Sequence, residues 1–235
     1  MANSSATLSY GTIPIMTAFS FSAPSSGVNF SGSSVQCNAG TGLCRGANSS
    51  GQAVMINPLD AQVPPVPELA WNYQSFGYWL VVVSSASTVA GAMSFGSPTA
   101  VVALPIAGTA TYSGLSSGIY INQPGAVFVL GAKMQSTVDF GPARSVAFST
   151  TDTTLSLTSG SPPLAAPALD LTGNLSIAVG SNQFTGPVTA PGTPGLAGTA
   201  TGRFYGPTAQ EIGGVFALKG TGPQTMLGGF GGKQP

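Results

Sequence analysis

The stretch Gly202-Arg203-Phe204-Tyr205-Gly206-Pro207-Thr208-Ala209-Gln210-Glu211-Ile212-Gly213-Gly214-Val215-Phe216 alternates, stops and restarts. Gly206-Pro207 ends a strand, because proline fixes φ and has no N–H to give to a ladder. Thr208-Ala209-Gln210-Glu211 fits a tight connection, and Gly213-Gly214 opens the next strand. Just upstream, Ala200, Gly202 and Phe204 fall on one strand face, and Thr201, Arg203 and Tyr205 on the other. Small residues alternate with large ones on the presumed inner face, as a small barrel filled by its own side chains requires. Glu211, just after the turn, is expected to accept backbone N–H bonds rather than to catalyse. Gly213 and Gly214 read as sites of close strand approach or a bulge. No Lys-Ser/Thr and no helix follow them, as a phosphate-cradling loop would need.

Outward from this hairpin the same pattern repeats. Strands are expected at 109–113, 126–130, 136–140, 145–149, 154–158, 168–179 (interrupted at Gly173), 183–189, 199–205, 214–218 and 227–230. Their spacing of about 8 to 12 residues is that of an antiparallel meander or closed barrel. Gly228-Gly229-Phe230-Gly231-Gly232 reads as the closing strand, with Phe230 plugging the interior. The N-terminal half is less regular, with strands expected at 6–10, 17–22, 28–32, 53–56, 75–83 and 90–95 and a Pro-rich connection at 61–67. The 33 glycines and 19 prolines are spread along the whole chain, so few windows are long enough for a helix. The chain reads as all-β, with a β-rich subdomain over 1–100 and a barrel over 101–235.

The order and spacing of particular segments carry a resemblance. Gly108-Thr109-Ala110-Thr111-Tyr112-Ser113-Gly114, Val138-Asp139-Phe140, Gln183-Phe184-Thr185-Gly186, the 202–216 stretch and Gly229-Phe230-Gly231-Gly232-Lys233 together resemble the β-barrel domain of the transferrin-binding protein B family. The resemblance implies an eight-stranded antiparallel barrel preceded by a smaller β-rich handle, in surface lipoproteins or secreted solute-binding proteins of Gram-negative bacteria. It implies binding of host proteins, haem or other ligands without catalysis, through variable loops or the handle.

The composition narrows this further. Of 235 residues, six are Lys or Arg, six are Asp or Glu and none is His, so 5% are charged and the formal net charge is zero; an ordinary soluble domain carries roughly 25%. Arg45, Lys133, Arg144, Arg203, Lys219 and Lys233 stand singly, whereas nucleic-acid binding needs a patch of several cations. A polybasic membrane anchor fails for the same reason. Without His there is no Ser-His-Asp triad, His-containing zinc site or His-ligated haem. A hydrophobic fraction of 43% excludes charge-driven disorder. Aliphatic and aromatic runs such as Trp79-Leu80-Val81-Val82-Val83 are far short of the ~20 residues of a spanning helix. Residues 1–5 lack the basic and apolar regions of a secretory signal, so either the protein is not exported or a leader or lipid anchor has been lost. Asp139, Asp152, Asp170 and Glu211 form no catalytic pair, and no Gly-x-Ser-x-Gly elbow occurs. No catalytic residue, no metal site and no cofactor are expected. Haem would have to use Tyr, Met or Cys, with Met16, Met55, Met93, Met134 and Met226 available.

Two places suit binding. Trp71, Tyr73, Phe76, Tyr78 and Trp79 concentrate both tryptophans within nine positions. Such residues anchor interfaces or build the core of the N-terminal half, so Trp71 and Tyr73 are ligand candidates if exposed. Cys37 and Cys44 enclose a short loop with two glycines. A disulfide there would place the chain in an oxidising compartment; two separate thiols are the alternative. Leu43 at the loop tip and Arg45 beside it are the second ligand candidates, against a simple staple. The expected function is noncovalent capture of a protein or small ligand at the bacterial surface or outside the cell. Self-association is the competing reading, because little charge repels neighbouring copies. The low charge departs from the Lys-rich pattern of many family members and favours aromatic, amide and hydroxyl contacts.

Overall fold

Alternating short polar and apolar residues, punctuated by Gly and Pro, give strands throughout. The computed structural model describes residues 5–10, 16–23, 26–31, 34–38, 43–48, 51–56, 71–84, 87–123, 126–157 and 162–235. β1 (Ser5–Tyr10), β2 (Met16–Ala23) and β3 (Ser26–Ser31) form a three-stranded antiparallel sheet. β4 (Val35–Asn38), β5 (Leu43–Asn48), β6 (Gly51–Ile56), β7 (Gln74–Ser84) and β8 (Ser87–Gly96) follow as a five-stranded meander. Helix among the described residues is limited to short 3-10 turns such as Val101–Ala103 and Pro167–Leu169.

The barrel then closes in one up-and-down course. Its eight strands are β9 (Thr109–Gln123), β10 (Ala126–Asp139), β11 (Ser145–Leu157), β13 (Thr172–Ile177), β14 (Gln183–Thr189), β15 (Ala197–Tyr205), β16 (Glu211–Lys219) and β17 (Thr225–Lys233). The two-residue β12 (Leu164–Ala165) pairs on β11 outside the ring. Each barrel strand pairs with its neighbour in sequence, and β17 pairs with β9 to complete the ring. Full closure removes both sheet edges.

The interior is filled by phenyl rings seated on glycines. Phe184 lies across from Gly202, Phe230 from Gly214 and Phe216 from Gly228 in the register. A Cβ at Gly214 would stand 2.6 Å from the Phe230 ring, and one at Gly228 2.7 Å from the Phe216 ring. Each ring thus takes the space its glycine leaves open. Phe148 and Phe230 meet at 4.7 Å and Phe184 and Phe204 at 5.4 Å between centroids. Burying each such side chain contributes about 1.5–3 kcal/mol.

The five-stranded sheet packs on the barrel's outer wall through β7 and β8, against β16, β17 and β9. Gln74, Phe76, Tyr78 and Leu80 alternate toward the barrel, and Ile119 of β9 joins Tyr78 and Leu80 in one cluster. The other face of β7 is buried too, at Ser75, Trp79 and Val81, and β3 lies against β5 and β7. Gly229 and Gly231 on the outside of β17 let the sheet close in. A Cβ at Gly231 would stand 2.8 Å from the Phe76 ring, and one at Gly229 2.8 Å from Met93 O.

Several strand limits differ from expectation. The segments at 126–130 and 136–140 are one continuous β10, and those at 145–149 and 154–158 are one β11. A bulge between Gly131 and Lys133, with Asp152 at φ 55°, absorbs the polar interruption. The expected strand at 168–179 shrinks to β13, because Pro167–Leu169 coils into a 3-10 turn that buries Leu169. The loop expected between the cysteines contributes Leu43 and Cys44 to β5, in a hairpin with β4. The tip at 40–42 and the Pro-rich 61–67 segment lie outside the described residues.

Candidate functional site

The turn from β15 to β16 joins the sheet to the barrel. The carboxylate of Glu211, 2% exposed, accepts the backbone N–H of Asn72 at 2.6 Å and of Tyr73 at 3.0 Å. Tyr73 seats its ring against Gly206, whose φ of 85° and missing Cβ leave that place open. Ser97 N–H donates to Tyr73 O at 2.8 Å, Gly206 N–H to Ser97 O at 2.9 Å and Thr99 N–H to Phe204 O at 3.0 Å. These bonds carry the chain leaving β8 onto the end of β15, through a bridge between Pro98 and Tyr205. Asn182 locks the same corner, donating to Thr99 O and Phe204 O while accepting from Phe204 N–H.

Beneath the turn, Tyr112 Oη donates to Ala209 O at 2.7 Å, and Gln234 Nε2 donates to Tyr112 Oη at 3.0 Å. Beside it, the Gln74 carboxamide lies on the barrel wall with Nε2 donating to Ile212 O at 2.6 Å. A Cβ at position 213 would overlap Gln74 Oε1, so Gly213 is required by this close approach. The β15–β16 register runs without a shift, which selects close approach over a bulge.

Next to the Pro98–Tyr205 bridge, a groove of about 150 Å³ lies between β8 and the outer side of β15 and β16. Ser94 of β8 forms one side; Thr201, Arg203 and Tyr205 of β15 with Gly213 and Val215 of β16 form the floor. Ser94 Oγ and Tyr205 Oη stand 3.0 Å apart. Arg203 is exposed and is the one charged residue among those lining the groove.

Burial controls the ionisable groups here. Desolvation raises the Glu211 carboxyl above the usual carboxylate range, against opposing bonds from the backbone of Asn72, Tyr73 and Gln74 and the charge of Lys233. Burial pushes Tyr112 up to about 12, opposed by its bond with Gln234. It likewise pushes Tyr78 to about 12, opposed by the charge of Arg45. Asp139 accepts Gly141 N–H, Asp170 accepts from Thr153, and Asp152 pairs with Lys133 at 2.9 Å on the surface. These carboxylates hold separate local structures.

The residues expected to bind are dispersed. Trp71 is fully buried, 5.2 Å from the Phe76 ring and packed near Leu115; this corrects its candidacy as an exposed ligand contact, because it forms the core under the clasp. Tyr73 is half-buried in the clasp. Arg45 is exposed on β5, and the Leu43 side chain lies outside the described part. Cys37 and Cys44 are direct partners in the β4–β5 register. Gly206, Pro207, Glu211, Gly213, Gly214 and Phe230 all belong to the turn, the clasp or the ring packing. Met93, Met134 and Met226 are buried core residues. Sequence reasoning missed Gln74, Ser94 and Asn182, whose roles depend on partners distant in the chain and leave no local pattern.

A closed meander barrel thus carries an N-terminal sheet clasped on its outer wall. The chain belongs to the family described as the C-lobe and N-lobe beta barrels of Tf-binding protein B, whose model matches residues 104–234, more than half its length. Among solved structures, a mutant of transferrin binding protein B from Haemophilus parasuis Hp5 is similar, with 18% identity and a TM-score of 0.57. That likeness covers 99% of this chain and 44% of that one. The isotype 1 transferrin binding protein B of serogroup B Neisseria meningitidis shares 20% identity at a TM-score of 0.55, over 89% of this chain and 38% of that one. The chain thus spans less than half the length of both structures, and the likeness is one of fold. No curated protein matches the sequence.

Proposed function

We propose that the chain is a non-enzymatic capture protein of the Gram-negative bacterial surface or its surroundings, which holds a protein ligand on its outer surfaces. The observation that supports this is a barrel interior filled by phenyl rings of Phe148, Phe184, Phe204, Phe216 and Phe230, so a ligand is met by the sheet, the groove and the end loops. Family membership points the same way. Asp139, Asp152, Asp170 and Glu211 serve local structure, which leaves catalysis without a carboxylate candidate among the described residues. With 5% charged residues, contacts through amides, hydroxyls and aromatic edges replace electrostatic steering. An anchor upstream and an oxidising location follow from the same reading. So does a Cys37–Cys44 disulfide, since the register sets the two residues opposite each other.

Transferrin is the first ligand to test, because the family carries its name. The chain immobilised on a biosensor should bind a host protein of this kind with little dependence on salt. A monomer in native mass spectrometry that acquires the ligand supports capture. Concentration-dependent assembly without ligand supports self-association instead. A Soret band on haem titration would establish a cofactor that this reading does not include.

A further inference from the structure

We propose that the free edge of β8 takes up an extended peptide as an added strand, with an acidic side chain of that peptide placed on Arg203. The inference deepens the capture reading and rests on it. β8 is the last strand of its sheet and, among the described residues, pairs with β7 alone. Ser97 N–H bonds to Tyr73 O beside the Gln74–Gly96 pair, so that pair is of the widely spaced kind. The alternation then gives Phe95, Met93 and Gly91 the bonds to β7 and turns the N–H and C=O groups of Ser94, Ala92 and Ala90 to the outer side.

Nothing in the strand guards that edge. Ser87–Gly96 holds no charged residue and no proline, the usual devices that stop strand addition. One face of β8 packs on β16 and β17, but beyond the single Pro98–Tyr205 bridge no ladder joins its outer edge to β15 among the described residues. Thr201 and Val215, neither of them charged, line the groove floor beside Arg203. A volume of about 150 Å³ is below the roughly 300 Å³ of a small-molecule pocket and suits alternate side chains of a strand. Main-chain bonds then supply affinity and the floor supplies choice. Arg203 offers a guanidinium with no carboxylate among the lining residues, which is complementary to Asp or Glu.

The test uses the whole chain and a phage-displayed library of random ten-residue peptides. Enriched peptides should share an acidic position, and a synthetic copy should shift the amide resonances of 90–94. Methylating alternate backbone nitrogens of that peptide should abolish binding. Ala92→Pro removes only an outward N–H, which edge strands tolerate, and should also abolish binding with the far-ultraviolet spectrum unchanged. Arg203→Gln, a surface change, should weaken binding on the order of tenfold. Absence of enrichment, or binding indifferent to both substitutions, overturns the proposal. So does a dimer that Ala92→Pro dissolves, since the occupant is then a second copy. If transferrin capture survives Ala92→Pro and no peptide binds, the edge is excluded while capture stands; peptide binding without capture of any host protein reverses that outcome.

Discussion

Glu211 Oε1 lies 2.6 Å from the backbone nitrogen of Asn72, and its Oε2 lies 3.0 Å from that of Tyr73, so one carboxylate ties the start of β7 to the start of β16. Glu211→Ala leaves both N–H groups without acceptors at a buried place. The expected loss is about 3 kcal/mol in urea unfolding. A change below about 0.5 kcal/mol would remove Glu211 from the clasp.

Protonation of the same residue gives a pH dependence. Burial raises the Glu211 pKa in the folded state, so the fold binds this proton more tightly than the unfolded chain does. The contribution is complete below the unfolded carboxyl pKa and is lost as pH rises through the raised folded value. The stability of the protein relative to Glu211→Gln should therefore fall as pH rises from the ordinary carboxyl range through the raised folded value. A flat difference would contradict the assignment.

Gly231→Ala tests the contact between sheet and barrel. Its Cβ would stand 2.6 Å from Gln74 Nε2 and 2.8 Å from the Phe76 ring. Over-packing of this kind costs about 1–3 kcal/mol, and calorimetry should show a lower Tm. The same change at Gly222, where a Cβ meets nothing within 4 Å but φ is 64°, should show only the backbone cost of about 1 kcal/mol.

Burial pushes Tyr112 and Tyr78 up to about 12. Alkaline absorbance titration should therefore show a late group of tyrosines that ionises together with unfolding. Tyr112→Phe should cost about 1 kcal/mol through its bond to Ala209 O and should remove one member of that group. An early, fully reversible titration of all six tyrosines would argue against the buried placement.

Reduction of the proposed Cys37–Cys44 bond should raise the intact mass by two hydrogens and lower stability by about 2 kcal/mol, as expected for a short loop. The mass of the protein purified under oxidising conditions decides it.

The barrel was legible because its signals are local. Alternation around Ala200, Gly202 and Phe204 and the stop at Gly206-Pro207 depend on period and turn chemistry alone, and Phe230 was readable as an interior plug from the glycines around it. The pairing of Phe with Gly across neighbouring strands was visible only as alternation of small and large, since register decides which ring meets which glycine. The clasp was legible by half. A structural carboxylate was expected at Glu211, but its partners lie 138 and 139 residues away. Trp71 shows the limit of composition: an aromatic cluster reads alike whether it faces a ligand or a core, and only the arrival of Phe76 and the barrel wall decides.

The closing pair of β9 with β17 bears on how the chain is made. Thr109–Gln123 emerges early and pairs on one side with β10, yet its other side stays open until Thr225–Lys233 has been synthesised. During translation the growing sheet therefore has a waiting edge for about a hundred residues, and the order of synthesis postpones barrel completion to its last strand. Until that last strand arrives, the waiting edge is open to pairing with other chains.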